Sequence, residues 1–394
     1  MSEFEQVDIV IAGGGVAGCA AALALAKNTD YSVAVIEKYA PSASDIHPSF
    51  DARVIALAAE SIKHLHSFGM DISDIPSSSI KHIHVSDRHH CAQVALSADE
   101  LGVKSFGQVV RLETLGLSLY EQLSGTKINY FADESIQSLQ QHKDSVSINT
   151  SNRKLNAKLL IIAEGANSPT REKLNFVVEQ KDYQQTAIIA NVQTQLPHQG
   201  RAFERFTKYG PIAFLPMEVE QGQNSQHLMS VVWSLGDEMV EEVKGLSDED
   251  FCQRLQTLFG SRLGSIHSPS PRFQYPLSLK VVPDFVQHRV VCIANAAQSL
   301  HPIAGQGFNT GIRDISDLVK SLRGQDPGVF GNLSEYKKRR RKDKTSIITA
   351  TDSLVRVFSN HYLPTVVGRS AGLQLMNHSS LLQKAFVRYA MGER

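Results

Sequence analysis

Cysteine is scarce in this chain of 394 residues: Cys19, Cys91, Cys252 and Cys292 lie far apart, with no C-x-x-C pair and no zinc-ligand spacing among them. A disulfide scaffold, a dithiol redox centre and a structural zinc site are thereby set aside, and a reduced, cytoplasmic protein is expected. An excess of one charge is missing too. Forty Lys and Arg balance forty Asp and Glu, so no global field selects nucleic acid as a partner. No run reaches the roughly 20 apolar residues that span a bilayer. The N-terminus has no basic region, and its first apolar stretch is interrupted by Gly13, Gly14 and Gly15, so no signal peptide is expected. Any membrane contact is then peripheral, at the inner face. Fixed-period repeats and low-complexity segments are also lacking.

What is present is ample apolar material, 42% hydrophobic against 20% charged residues, the balance of a globular protein. The length exceeds one ordinary core, which predicts two unequal domains or one domain with a large insertion. Val7 to Ala12 reads as a buried parallel strand, Val16 to Lys27 as an alanine-rich helix and Ser32 to Glu37 as a second strand, together a βαβ unit. Lys158 to Ala163 and Arg289 to Ala294 are similar apolar runs. Separated pieces of the chain are therefore expected to assemble one parallel sheet. Between them, Ala187 to Thr194, Arg201 to Thr207, Gly210 to Met217 and His227 to Ser234 are short runs divided by turn residues, which predicts an antiparallel sheet. After Pro327 the chain turns helical, with an interruption expected at Pro364.

Two glycine-rich segments carry the chemistry. Gly13-x-Gly15-x-x-Gly18 lies between a strand and a helix, and Glu37 closes the next strand nineteen residues after Gly18. Gly13 permits the tight turn, Gly15 lets the backbone approach a pyrophosphate, and Gly18 lets helix and strand pack closely. The open N–H groups of the helix then face the phosphates, while Glu37 accepts hydrogen bonds from ribose hydroxyls. The second segment, His301 to Asp314 (HPIAGQGFNTGIRD), follows the late strand and runs into a helix from about Phe308. Glycines at 305, 307 and 311 bring bare backbone close to something flat or charged, and the helix directs its positive end there.

The segment HPIAGQGFNTGIRD resembles that of the class A flavoprotein monooxygenases, within them the ubiquinone-biosynthesis hydroxylases. The resemblance runs over essentially the whole chain, through HPSFDARVIALA (His47 to Ala58), HVSDR (His84 to Arg88), GRAFERFT (Gly200 to Thr207), GPIAFLPM and NAAQSLHP. It implies an α/β fold: a doubly wound, Rossmann-like FAD-binding domain, an inserted α+β substrate domain on an antiparallel sheet, and a helical C-terminus. The expected divisions are 1–75, 105–175 and 276–335 for the FAD-binding domain, 76–104 and 176–275 for the substrate domain, and 336–394 for the C-terminal helices.

The same resemblance implies FAD as cofactor, with NAD(P)H or another reductant as electron donor. Oxygen would be activated at the flavin C4a position and transferred to the ring of a polyprenylated phenol, of the 2-polyprenyl-6-methoxyphenol type. Gly13, Gly15, Gly18 and Glu37 would hold the adenosine half, and Arg53 and Arg111 would approach the pyrophosphate. The family's strand-end Asp-Gly reads Glu164-Gly165 here, and its ribityl-contacting Gly-Asp reads Ala294-Asn295. Asn295 still offers a hydrogen bond, without charge. Gly305, Gln306, Gly307 and Asn309 would line the flavin, with Pro302 at the edge nearest the substrate. No side chain stands out as a general base, and His301 and Arg205 are the candidates, each with a structural role as the alternative.

Other signals point to less. His82, His84, His89 and His90 crowd one segment without the spacing of a metal site, so no metal is expected. Lys337 to Lys342 is a run of six basic residues ahead of the amphipathic stretch Ile347 to Ala371. It reads either as a solvated helix face or as a contact for anionic lipid or for a ubiquinone-biosynthesis protein complex. The competing functions are a sibling hydroxylase of different regiospecificity and a non-catalytic assembly subunit on the same fold.

Overall fold

The computed structural model describes residues 4–40, 53–88, 93–218, 225–358 and 363–392. Its first sheet is built on the strand Glu5–Ala12, flanked in parallel by Lys154–Ile162 on one side and Val33–Ile36 on the other. Val290–Cys292 extends the first side and Asn129–Phe131 the second, both parallel. Ile9, Val10, Ile11 and Leu159 to Ile162 have no exposed surface. A strand buried on both faces needs an apolar run rather than alternation, which is why these segments stood out in the sequence. The helix Val16–Asn28 crosses between the first two strands and packs on the helices Leu112–Leu123 and Gln306–Ser321. An antiparallel ribbon, Ile136–Gln141 and Val146–Thr150, pairs onto Lys154–Ile162, and its Ile136, Val146 and Ile148 join the same core.

The second sheet is mainly antiparallel. In order it carries Gln298–Ser299, Phe273–Val281, Glu179–Thr194, Leu228–Gly236, Gly210–Pro216, Arg201–Thr207, His82–Asp87 and Gln93–Ser97. Phe273–Val281 pairs with Glu179–Thr194 over its length, so this sheet continues past the division expected at residue 275. One face is covered by the helices Asp237–Lys244 and Asp248–Phe259, around a core of Ile188, Phe203, Phe214, Trp233, Phe251 and Phe259. The other face clusters with Ile80, Val109 and Ile303 and with apolar residues of the C-terminal helices. A small third sheet, Val54–Ala58, Gly107–Arg111 and Ser77–Ile80, stands between the two.

The C-terminal part consists of the helices Phe330–Phe358, Leu363–His378 and Ser380–Met391. Pro364 is the second residue of its helix, a position where no backbone N–H is required, so it opens a helix rather than breaking one. Val355, Phe358, Leu373, Val387 and Met391 form one apolar cluster with Ala202 and Phe206 of the second sheet and with Ile303.

Candidate cofactor and substrate site

The parallel strands end in register: Ala12 pairs with Ile162, and Ile162 with Cys292. The segments that follow, Gly13 to Gly18, Glu164-Gly165 and Ala294-Asn295, are therefore side by side at the carboxyl end of the sheet, where open α/β sheets bind ligands. Three pieces of chain far apart in sequence share one rim.

At the first turn Gly13 has φ +100° and donates its N–H to the Ile36 carbonyl at 2.9 Å. A Cβ there would lie 2.9 Å from the Ala163 and Glu164 backbone, and a Cβ at Gly18 only 1.8 Å from the Gly13 carbonyl oxygen. Gly15 begins the helix and no side chain caps it, so the N–H groups of the first turn remain available to an anion. Glu37 is nearly buried. One of its oxygens accepts the Gly14 N–H at 2.5 Å and the other the Tyr39 N–H at 3.1 Å, which fixes the carboxylate beside the turn.

Glu164 faces its own loop. Its carboxylate accepts the hydroxyls of Ser168 and Thr170 and the Thr170 N–H, holding the turn that starts the helix Pro169–Lys173. The structure thus gives this side chain a bracing task, and the open surface at the strand end belongs to Gly165, where an added Cβ would meet nothing within 4 Å. Ala294 adopts φ +50°, a left-handed conformation held by its N–H donating to Asp314 at 2.9 Å, and it leaves Asn295 exposed at the rim.

The second turn is assembled by side-chain ties. Gly305, with φ +60°, starts the helix Gln306–Ser321, which again has no side-chain cap, and Gly307 opens onto free space. Pro302 is exposed beside it. Asn309 is buried: its amide donates to the carbonyls of Ala56 and Gly305 and its oxygen accepts the Ala58 N–H at 2.8 Å. It clamps the strand Val54–Ala58 to the turn and has no side-chain surface left to line a ligand. Gln306 donates to the Ala390 carbonyl, so its amide points toward the last helix. Arg53 lies over the Tyr275 ring at 4.8 Å, and strand pairing sets it at the same end of the small sheet as Arg111. Arg111 is half-exposed in an ion pair with Glu113.

Neither candidate base fits that task. His301 is 1% exposed; its Nδ1 accepts the Ile303 N–H, so Nε2 carries the proton toward Gln185. Burial depresses its pKa to about 4, and a neutral ring with both nitrogens engaged shapes the turn. Arg205 donates to the Leu258 carbonyl and the Ser86 hydroxyl on the helix-covered face of the second sheet, away from the rim. His84, on that same face, sits against Phe203 and Gln93, while His89 and His90 lie outside the described residues.

The supports behind the second turn were not predicted. Asp314, fully buried, accepts from Arg340 at 2.7 Å and from Lys344 at 3.0 Å as well as from Ala294. Arg340, also fully buried, reaches Asp343 and Asp317 too. Burial lowers the Lys344 pKa while Asp314 opposes that shift. One member of the basic run Lys337 to Lys342 is thus a core residue, Lys337 is paired with Asp284, and Lys338, Arg341 and Lys342 are left on the surface.

A long dinucleotide fits this rim. Two uncapped helix N-termini offer N–H groups, Glu37 stands where a ribose would be held, and Gly165 and Gly307 leave open approaches along the edge. A family profile described as an FAD binding domain matches residues 6–350. The ubiquinone hydroxylase UbiL of Rhodospirillum rubrum is 32% identical over 398 residues, covering 98% of this chain and 89% of that protein. The 3-demethoxyubiquinol 3-hydroxylase of Escherichia coli is 27% identical over 399 residues, covering 98% and 99%. The crystal structure of p-nitrophenol 4-monooxygenase PnpA from Pseudomonas putida DLL-E4 superimposes with a TM-score of 0.79, across 99% of this chain and 100% of that one, at 17% identity. That last likeness is one of fold. Taken with the paired glycine turns, these matches establish that the chain belongs to the FAD binding domain family, in its ubiquinone-biosynthesis hydroxylase branch, and is an FAD-dependent monooxygenase.

Proposed function

We propose that this chain hydroxylates the ring of a polyprenylated phenol, of the 2-polyprenyl-6-methoxyphenol type, using O2 and electrons from NAD(P)H or another reductant. The observation that carries this is the apolar face of the second sheet, with half-buried Val85 and Leu215, clustered with Ile303 and Ala56 beside the Gly305 turn. Such a surface suits an aromatic ring bearing a hydrocarbon tail. In this reading Gly13, Gly15, Gly18 and Glu37 hold the adenosine half of FAD, and Arg53 and Arg111 approach the pyrophosphate. Asn295 meets the ribityl chain, and the Gly305 to Gly307 backbone faces the ring system. FAD supplies the oxygen activation; the chain orients the ring, excludes water and stabilises negative charge with the helix dipole.

A second reading, the same chemistry at another ring position, is favoured by the full-length match to the Escherichia coli 3-hydroxylase. One experiment addresses both. Cells lacking the protein are expected to accumulate a prenylated phenol short of one ring oxygen, and mass spectrometry of their quinone intermediates names compound and position together. Unchanged quinones would remove the pathway assignment and leave the fold standing.

Such a substrate resides in a bilayer, and among the described residues no helix is long and apolar enough to cross one. Exposed Leu375, Leu381, Phe386 and Tyr389 on the last two helices support a peripheral contact instead. Sedimentation with anionic vesicles should carry the protein down, and a Leu381→Glu/Phe386→Glu variant should stay in the supernatant. Equal sedimentation of both proteins would refute the contact.

A further inference from the structure

Side chains alternate along the strand Arg201–Thr207. Phe203 and Arg205 go to the face covered by the helices Asp237–Lys244 and Asp248–Phe259, and Ala202, Glu204 and Phe206 go to the face that clusters with Ile303 of the second turn and with the C-terminal helices. Glu204 is opposite Ala213 on one neighbouring strand and Val85 on the other. It is half-buried, and among the described residues no hydrogen-bond donor or cation meets its carboxylate. The apolar cluster around it includes Ile83, Leu215 and Phe206, Ile303 from the second turn and Ala56 from the strand Val54–Ala58.

An unpartnered carboxylate in apolar surroundings costs several kcal/mol in general, and a structural role would have given it a partner. Among the described residues, the other titratable groups that the packed elements present near this face have partners. Asp87 pairs with Arg369, Asp352 with Lys181, Tyr183 bonds to Asp352, and His301 faces Gln185. Of these groups, Glu204 is the one without a partner among the described residues.

We propose that Glu204 is a catalytic residue that binds the phenolic hydroxyl of the substrate and takes its proton. The proposal deepens the phenol-hydroxylase reading above and rests on it. In the step, the phenolic O–H bond breaks, the proton passes to a Glu204 oxygen, and the electron pair stays on the ring oxygen. Only a proton moves. Electron density so released enters the ring and makes the carbon ortho or para to that oxygen a better nucleophile toward an electrophilic oxygen. Burial, the one cause acting on Glu204, pushes its pKa up to about 7, which brings the base closer in strength to a phenolate than an ordinary carboxylate would be.

The test uses the flavin-loaded full chain and the variants Glu204→Gln and Glu204→Asp. In the wild type, kcat for a short-chain 2-prenyl-6-methoxyphenol should rise with pH through about 7 as Glu204 loses its proton. Glu204→Gln should lower kcat about 100-fold, abolish that rise and change KM much less; Glu204→Asp should restore part of the rate with the rise shifted. A second readout is the binding of 2-methoxyphenol, followed by perturbation of the flavin absorbance. Its affinity should vary around pH 7 in the wild type and be flat in Glu204→Gln. Unchanged kcat and an intact pH rise in the glutamine variant would overturn the proposal, as would identical binding profiles. Should that variant fail to fold, a pH profile in Glu204→Asp identical to that of the wild type would count against it equally. A wild type that neither binds nor turns over any phenol would instead strike down the underlying function, and Glu204 with it.

Discussion

At the turn Gly13 to Gly18 the support is steric: backbone sits so close to backbone that no side-chain carbon fits, and the strand pairing of Glu5–Ala12 holds it from below. At the turn Ile303 to Gly307 the support is polar. Asn309 clamps it to Val54–Ala58, and Asp314 ties its helix to Ala294 and, through Arg340 and Lys344, to the helix Phe330–Phe358. Both turns carry uncapped helix N–H groups, which in the proposed reading face one cofactor. The difference teaches how each can fail: contact at the van der Waals limit is lost as a whole to a single added carbon, whereas a set of hydrogen bonds and ion pairs is lost in parts.

The largest effect follows at the steric turn. In Gly18→Val the first carbon alone would stand 1.8 Å from the Gly13 carbonyl oxygen, so the helix must withdraw from the strand and the phosphate cradle opens. Protein of this variant should be colourless after purification. The second sheet should remain folded, and Trp233, the chain's single tryptophan and wholly buried there, reports on it through unshifted fluorescence. A yellow preparation with normal flavin content would show that this turn does not bear the cofactor.

The steric turn was legible in sequence because its determinants are local and glycine is their only solution. The second turn was legible only in its glycines. Asn309 looked like a ligand contact, since nothing within the segment reveals that its partners Ala56 and Ala58 come from some 250 residues away. Arg340 disappeared into a basic run that reads as a solvated surface, because the acidic residues that neutralise it are brought in by helix packing. On Arg201–Thr207 the alternation of faces was predictable, yet which face is the site depends on where the helices Asp237–Lys244 and Asp248–Phe259 settle. Arg205 drew attention as a charge in the motif; Glu204, one residue earlier, is the group on the face that clusters with Ile303. The strand Glu179–Thr194 begins eight residues before its expected start for a similar reason. Its first half is polar and broken by a register shift between Asp182 and Gln185, so no apolar rhythm announced it.

The polar turn should break more gently, and Arg340→Met measures by how much. Removing one partner of a fully buried ion pair costs about 3–5 kcal/mol, since the remaining charge stays in an apolar interior without compensation. Here Asp314 keeps Lys344 at 3.0 Å, so the loss should fall at the lower end of that range, about 3 kcal/mol. The Ala294 N–H also keeps its acceptor, so the rim beside Asn295 should survive and the folded variant should still bind FAD. Urea unfolding together with flavin titration separates these outcomes: lower stability with affinity changed only a few-fold is expected. Complete loss of flavin from a variant that remains folded would mean that the ion pairs hold the second turn as rigidly as sterics hold the first, and the contrast between them would disappear.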